Sequence, residues 1–182
     1  MSQVNADKIA PSTGTTLTLG DVGDTITTAA TPAGTLSNTP AFSVCTNAVT
    51  AITAATAEKI VLDREIFDSA SAFASNRFTV PAGEGGKYFI SAGINFLMAS
   101  SSTTSNIQTM IYLNGSEHGT SDSVITNQSN ITNLTVEGTW ILNLAAADYI
   151  ELWGYVSGSS TQYNGNATLQ KTHMSGFKLL GV

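Results

Sequence analysis

The chain has 182 residues, of which 11% are charged and 42% hydrophobic, with a formal net charge of −6. That length suits one ordinary domain with a short extension, and the apolar fraction argues against disorder. Seven scattered Lys and Arg form no basic stripe, which excludes a nucleic-acid backbone as ligand. The single Cys45 excludes an internal disulfide and reads as a small buried or half-buried hydrophobe. Thr, Ser, Asn and Gly are abundant and long helix formers scarce, a balance that favours strands joined by turns. No apolar run reaches the roughly 18 residues of a membrane span. The opening MSQVNADKIAPS lacks the apolar core of a secretory signal, so synthesis without export from a cytoplasm is expected.

Residues 1–40 contain no aromatic side chain, and their apolar groups are isolated. Such a segment has too little apolar surface to fold alone. It predicts an extended arm held by a neighbour, with Ile9, Leu17, Leu19, Val22 and Ile26 as the anchoring side chains. Gly20-Asp21 and Gly23-Asp24 read as turns, because a calcium loop needs more ligands at defined spacing.

From Ala41 a compact domain is expected to run to Val182. Ala41 to Cys45 reads as a first strand, and Thr46 to Ala57 as a loop or edge strand. Lys59 to Phe67 predicts another strand, with Ile60, Leu62 and Ile66 sharing a face. The stretch around which the rest is organised is NRFTVPAGEGGKYFISAGINF, residues 76–96. Arg77 to Val80 reads as a short strand ended by Pro81, and Gly83 to Lys87 as a hairpin turn. Lys87 to Leu97 then alternates, with Tyr88, Ile90, Ala92, Ile94 and Phe96 on one face. Phe89, Ser91, Gly93, Asn95 and Leu97 fall on the other, which predicts a central strand covered on both sides.

Ile107 to Leu113 is the next strand, closed by Asn114-Gly115, the strongest short turn signal in the chain. Ile131 to Leu144 and Tyr149 to Val156 follow, joined by a turn at Ala145 to Asp148, and His173 to Val182 ends the chain. Polar stretches at 100–106, 117–130 and 158–166 read as loop tips suited to surface contacts. Eight to ten strands without a helix point to an all-β, antiparallel two-sheet sandwich.

Chemistry-bearing patterns are few. His118 and His173 have no H-E-x-x-H context and no Cys/His set around them, so no metal is expected. There is no G-x-S-x-G elbow, and Gly83 to Lys87 lacks the spacing and following helix of a phosphate loop. Asp63, Glu65 and Asp68 lie close in sequence, but read as surface carboxylates rather than a glycosidase pair. No catalytic residue, cofactor or enzymatic activity is expected. The five N-x-S/T sequons, at Asn114, Asn127, Asn130, Asn133 and Asn166, read as by-products of composition.

Several pieces occur in a familiar order. Phe67-Asp68, Arg77 to Pro81, Gly86 to Phe89, Tyr112 to Gly115, Ala147 to Trp153 and Ser175 to Leu179 succeed one another along residues 41–182. This march resembles the globular head of complement component 1 subcomponent q and the related tumour-necrosis-factor-like jelly rolls. The resemblance implies a two-sheet jelly roll that assembles as a homotrimer. The collagen stalk of the complement proteins is missing, and in its place stands an arm that looks like segments of bacteriophage fibre and head-decoration proteins. Tyr88, Phe89, Phe96, Tyr112, Trp140, Tyr149, Trp153 and Tyr155 exceed what one two-layer core needs, and are candidate core or trimer aromatics.

The expected function is therefore that of a bacteriophage virion structural protein, a short trimeric fibre or capsid decoration localised to the virion. Its expected partners are two further copies, other capsid or tail proteins through residues 1–40, and a host-surface glycan or protein. The alternatives are the receptor-binding tip of a tail fibre and a carbohydrate-binding jelly-roll module.

Overall fold

The computed structural model describes residues 38–98, 106–124, 132–158, 161–166 and 168–179. The arm residues Ile9, Leu17, Leu19, Val22 and Ile26, and most of the expected loop tip at 100–106, lie outside the described residues.

Thirteen strands and no helix are found among the described residues: β1 (Ala41–Cys45), β2 (Thr50–Ile52), β3 (Glu58–Lys59), β4 (Arg64–Asp68), β5 (Phe73–Ala74), β6 (Arg77–Thr79), β7 (Gly86–Leu97), β8 (Asn106–Leu113), β9 (Ser116–Val124), β10 (Asn133–Leu144), β11 (Tyr149–Val156), β12 (Thr161–Tyr163) and β13 (His173–Lys178). All pairings are antiparallel. In the first sheet, β7 carries β10 on one edge and β13 followed by β12 on the other. From there the sheet continues to β1 and β4, and to β2. In the second sheet, β11 lies between β8 on one edge and β6 and β3 on the other, with β9 and β5 outermost.

The alternation in β7 sets the geometry. Tyr88, Ile90, Ala92, Ile94 and Phe96 are fully buried and face the second sheet, where they meet Phe78, Ile111, Ile150 and Leu152. Phe42 stacks on Phe78 with ring centroids 4.5 Å apart, which ties β1 to β6 across the core. On the opposite side of β7 the cover expected from the sequence is partial: Gly93 and Asn95 are buried, whereas Phe89, Ser91 and Leu97 are half-buried.

Where the edges of the two sheets meet, β9 and β10 are held together by Trp140. Its indole folds back over Gly138 of its own strand and lies against Gly119 of β9. Two hydroxyls bridge the same seam: Ser121 Oγ donates to Glu137 O at 2.7 Å, and Thr109 Oγ1 to Val136 O at 2.8 Å.

The chain departs from the expected organisation in four places. The glycine-rich segment 81–85 is not a hairpin turn: β6 belongs to the second sheet and β7 to the first, so the chain crosses between sheets. Lys59 to Phe67 is likewise two strands, β3 in the second sheet and β4 in the first. Ile60 and Leu62 are buried on the way across, while Ile66 is 41% exposed after the crossing. The polar segment from Glu117, expected to be a loop, is strand β9 as far as Val124, with His118 exposed on that strand instead of in a turn. Finally, the expected loop tip after Gly158 contributes β12, whose Tyr163 is buried against β7.

Asn114-Gly115 does form the expected tight turn, with both residues at positive φ (52° and 80°). Asn114 Nδ2 donates to Asp148 at 2.8 Å and Asn114 Oδ1 accepts from Tyr149 N–H at 3.0 Å, so this turn locks onto the next one. The Asn114 hydrogen bond, with that from Ala145 N–H, holds the Asp148 carboxyl below its ordinary value.

Candidate interaction surfaces

The register across the first sheet places side chains of one kind side by side on its outer face. Ile141, Phe89, Phe177 and Ala41 form one row across β10, β7, β13 and β1. Phe89 and Phe177 rings lie 5.3 Å apart, and Ile141 is 66% exposed beside them. The next row is made of hydroxyls, Thr139, Ser91, Ser175 and Ser43, with Phe67 at its end and half-exposed. The third row is ionisable: Glu137 and His173 close over Gly93, where a Cβ would stand 2.8 Å from Glu137 Cγ and 3.1 Å from His173 Cε1. His173 Nδ1 lies 3.0 Å from Gln170 O, which fixes the ring. Further along, Asn95 is bonded to Thr135 and Asn164. This face thus grades from apolar through hydroxyl to charged and amide groups.

The outer face of the second sheet is aromatic. Tyr149, Glu151, Trp153 and Tyr155 alternate along β11, with Tyr112, Met110 and Gln108 opposite them on β8. Tyr112 and Trp153 stack at 4.3 Å with an interplanar angle of 15°. The Arg77 guanidinium sits 4.3 Å from the centre of the Tyr149 ring. Between them Glu151, its side chain only 5% exposed, accepts from Lys59 at 3.2 Å and forms an ion pair with Arg77 at 3.3 Å. Trp153 Nε1 donates to its other oxygen at 3.1 Å. A carboxylate this buried is tolerated because two cations and an indole N–H converge on it. Burial, and then the Glu117 charge, push the Tyr112 hydroxyl above its ordinary value.

The eight aromatics singled out from the sequence therefore separate into four places. Tyr88 and Phe96 are fully buried in the core, Phe89 is on the outer face of the first sheet, and Trp140 bridges the seam. Tyr112, Tyr149, Trp153 and Tyr155 share the outer face of the second sheet. Sequence reasoning missed Ile141 and Phe177, which complete the row around Phe89. Their signal was available, since each falls on the outward parity of its own strand. It also missed Lys59, Arg77 and Glu151, whose meeting depends on the pairing of distant strands.

Asp63, Asp68, Asp148 and His173 serve the backbone. Asp63 accepts from Asn47 N–H at 2.8 Å, and Asp68 from Ala70 and Phe73 N–H at 3.1 and 2.7 Å. Cys45 is buried, which raises its thiol above the ordinary value. Among the described residues no three His, Cys, Asp or Glu side chains gather as metal ligands.

No family model matches the chain. It is 33% identical over 118 residues to the uncharacterized protein YqcC of Bacillus subtilis (strain 168), a match that covers 62% of this chain. The chain spans only 30% of that relative's length. Among solved structures it resembles the globular domain of zebrafish complement 1qA, at 15% identity and a TM-score of 0.52, covering 77% of this chain and 97% of the other. Eiger, a tumour necrosis factor from S. frugiperda, gives 11% identity and a TM-score of 0.58 over 78% and 93% of the two chains. Murine APRIL gives 9% identity and 0.56 over 76% and 98%. At such identities the likeness shows the fold, and that fold is the jelly roll of the complement-head and tumour-necrosis-factor-like proteins.

Proposed function

We propose that this chain is a non-enzymatic virion component of a bacteriophage, a homotrimeric short fibre or capsid decoration. In this reading residues 1–40 join it to the particle and the jelly-roll head projects outward. The observation that carries the self-association is the apolar row on the first sheet: Ile141 is 66% exposed in a single chain, beside the ring pair of Phe89 and Phe177. A patch of this kind, rimmed by hydroxyls, is the ordinary mark of a protein–protein contact. Threefold symmetry is what the resemblance to complement heads and tumour-necrosis-factor-like proteins implies.

A structural role is supported by the engagement of Asp63 and Asp68 with backbone N–H groups and of Glu151 with two cations, contacts that tie loops and strands together. The virion setting is supported by the hydroxyl- and amide-rich composition and by the aromatic-free N-terminal segment. Its test is deletion of residues 1–35. The truncated chain should stay a soluble trimer yet fail to join the particle, and full incorporation would contradict the anchoring role.

A further inference from the structure

We infer that the outer face of the second sheet binds a neutral saccharide chain, with Trp153 and Tyr155 as its stacking platform. Tyr112, Trp153 and Tyr155 are half-buried on a side of the sandwich that the self-association row does not use. A solvent-facing sheet surface is ordinarily furnished with Thr, Lys or Glu; side-by-side aromatics mark a recognition surface. Trp153 and Tyr155 point the same way two residues apart on β11, which spaces them roughly 7 Å along the strand. That spacing sets two aromatic side chains next to each other along the path of a sugar chain.

The platform is set before any ligand arrives. Trp153 is stacked on Tyr112 at 4.3 Å and tied by its indole N–H to Glu151 at 3.1 Å. Preorganised aromatic side chains lose little entropy on binding. Polar groups flank the rings where hydroxyls would be met: Gln108 pairs with Tyr155 on one side and with Asp122 on the other. Among the described residues neither Gln108 nor Asp122 makes a side-chain hydrogen bond, so an amide and a carboxylate remain open to sugar hydroxyls.

Charge selects the class of ligand. Both nearby cations, Lys59 and Arg77, are drawn onto Glu151 at 3.2 and 3.3 Å. That trio keeps one positive charge, and the rim residues Glu117 and Asp122 add two negative ones, so the face is negative on balance, as is the chain as a whole. Sulfated or uronic-acid polymers would be repelled, whereas a neutral chain meets no penalty.

The inference is independent of the virion reading. Its test is native affinity electrophoresis of the full chain in gels containing dextran, mannan or hydroxyethyl cellulose, with heparin as the anionic comparison. At least one neutral gel should retard the protein, and Trp153→Ala should weaken the affinity at least tenfold. Tyr155→Ser, which leaves the bond between Trp153 and Glu151 in place, should also weaken it. The same polysaccharide should change the tryptophan fluorescence of Trp140→Phe, which keeps only Trp153, and leave Trp153→Phe unchanged. No retardation in any neutral gel would overturn the inference. So would retardation that survives both Trp153→Ala and Tyr155→Ser, or retardation stronger in heparin.

Discussion

The seam closed by Trp140 makes a sharp prediction. A methyl group added by Gly138→Ala would stand 2.5 Å from Trp140 Cζ2 and closer still to Cη2. The indole also lies close against Gly119, where a Cβ would stand 2.7 Å from Cδ1, so a shift of the ring disturbs its contact with β9. Neither glycine has a positive φ between 20° and 160°, so the cost is one of space and not of backbone conformation. Overpacking of this kind costs about 1–3 kcal/mol, and contact from both sides puts Gly138→Ala at the upper end. For a chain of this size each kcal/mol shifts Tm by roughly 2–4 °C, so a fall of about 4–12 °C is expected. The diagnostic assay is a double-mutant cycle by thermal melting with Trp140→Ala. Once the indole is gone, Gly138→Ala should cost almost nothing, giving a coupling of about 2 kcal/mol. An equal loss in both backgrounds would show that the indole does not occupy this gap.

Three other outcomes follow from the same geometry. Tyr88 is fully buried, and burial, then the nearby Glu84 charge, push its hydroxyl up to about 12. The folded state therefore holds a proton that the unfolded chain releases above about 10, so stability should fall between pH 10 and 12. Tyr88→Phe should flatten that fall in urea titrations at alkaline pH, and an unchanged slope would contradict the assignment. Cys45 should resist a thiol-reactive dye in the native protein and react at once in denaturant, since it is buried with a raised pKa. Asn114→Ala should lower stability by about 1–2 kcal/mol, because alanine is disfavoured at positive φ and the two side-chain hydrogen bonds of Asn114 vanish. Carboxyl NMR should show Asp148 rising toward its ordinary value in that variant.

Strand β7 was legible because its alternation is long and strict, and Asn114-Gly115 because its chemistry permits little else. Segment 81–85 was misjudged for a physical reason: glycine and proline report that the chain turns, but not whether it returns in its own sheet. Ile66 repeats the lesson, since the chain changes sheets between it and Leu62 and the shared face is lost. Strand β9 was hidden because its residues, SEHGTSDSV, are polar, and an outermost strand can be held by its neighbour's backbone. The aromatic face was legible only as a surplus of Trp and Tyr. Its assembly around Glu151 joins β3, β6, β8 and β11, a conjunction that no local pattern encodes.

Multi-angle light scattering of the purified chain tests the self-association claim most directly. Near neutral pH the expected mass is three times that of the 18.9 kDa chain, falling to one chain in Ile141→Lys, which places a charge in the apolar row. A wild-type protein that stays a single chain at high micromolar concentration, or an Ile141→Lys variant that still assembles, would contradict it.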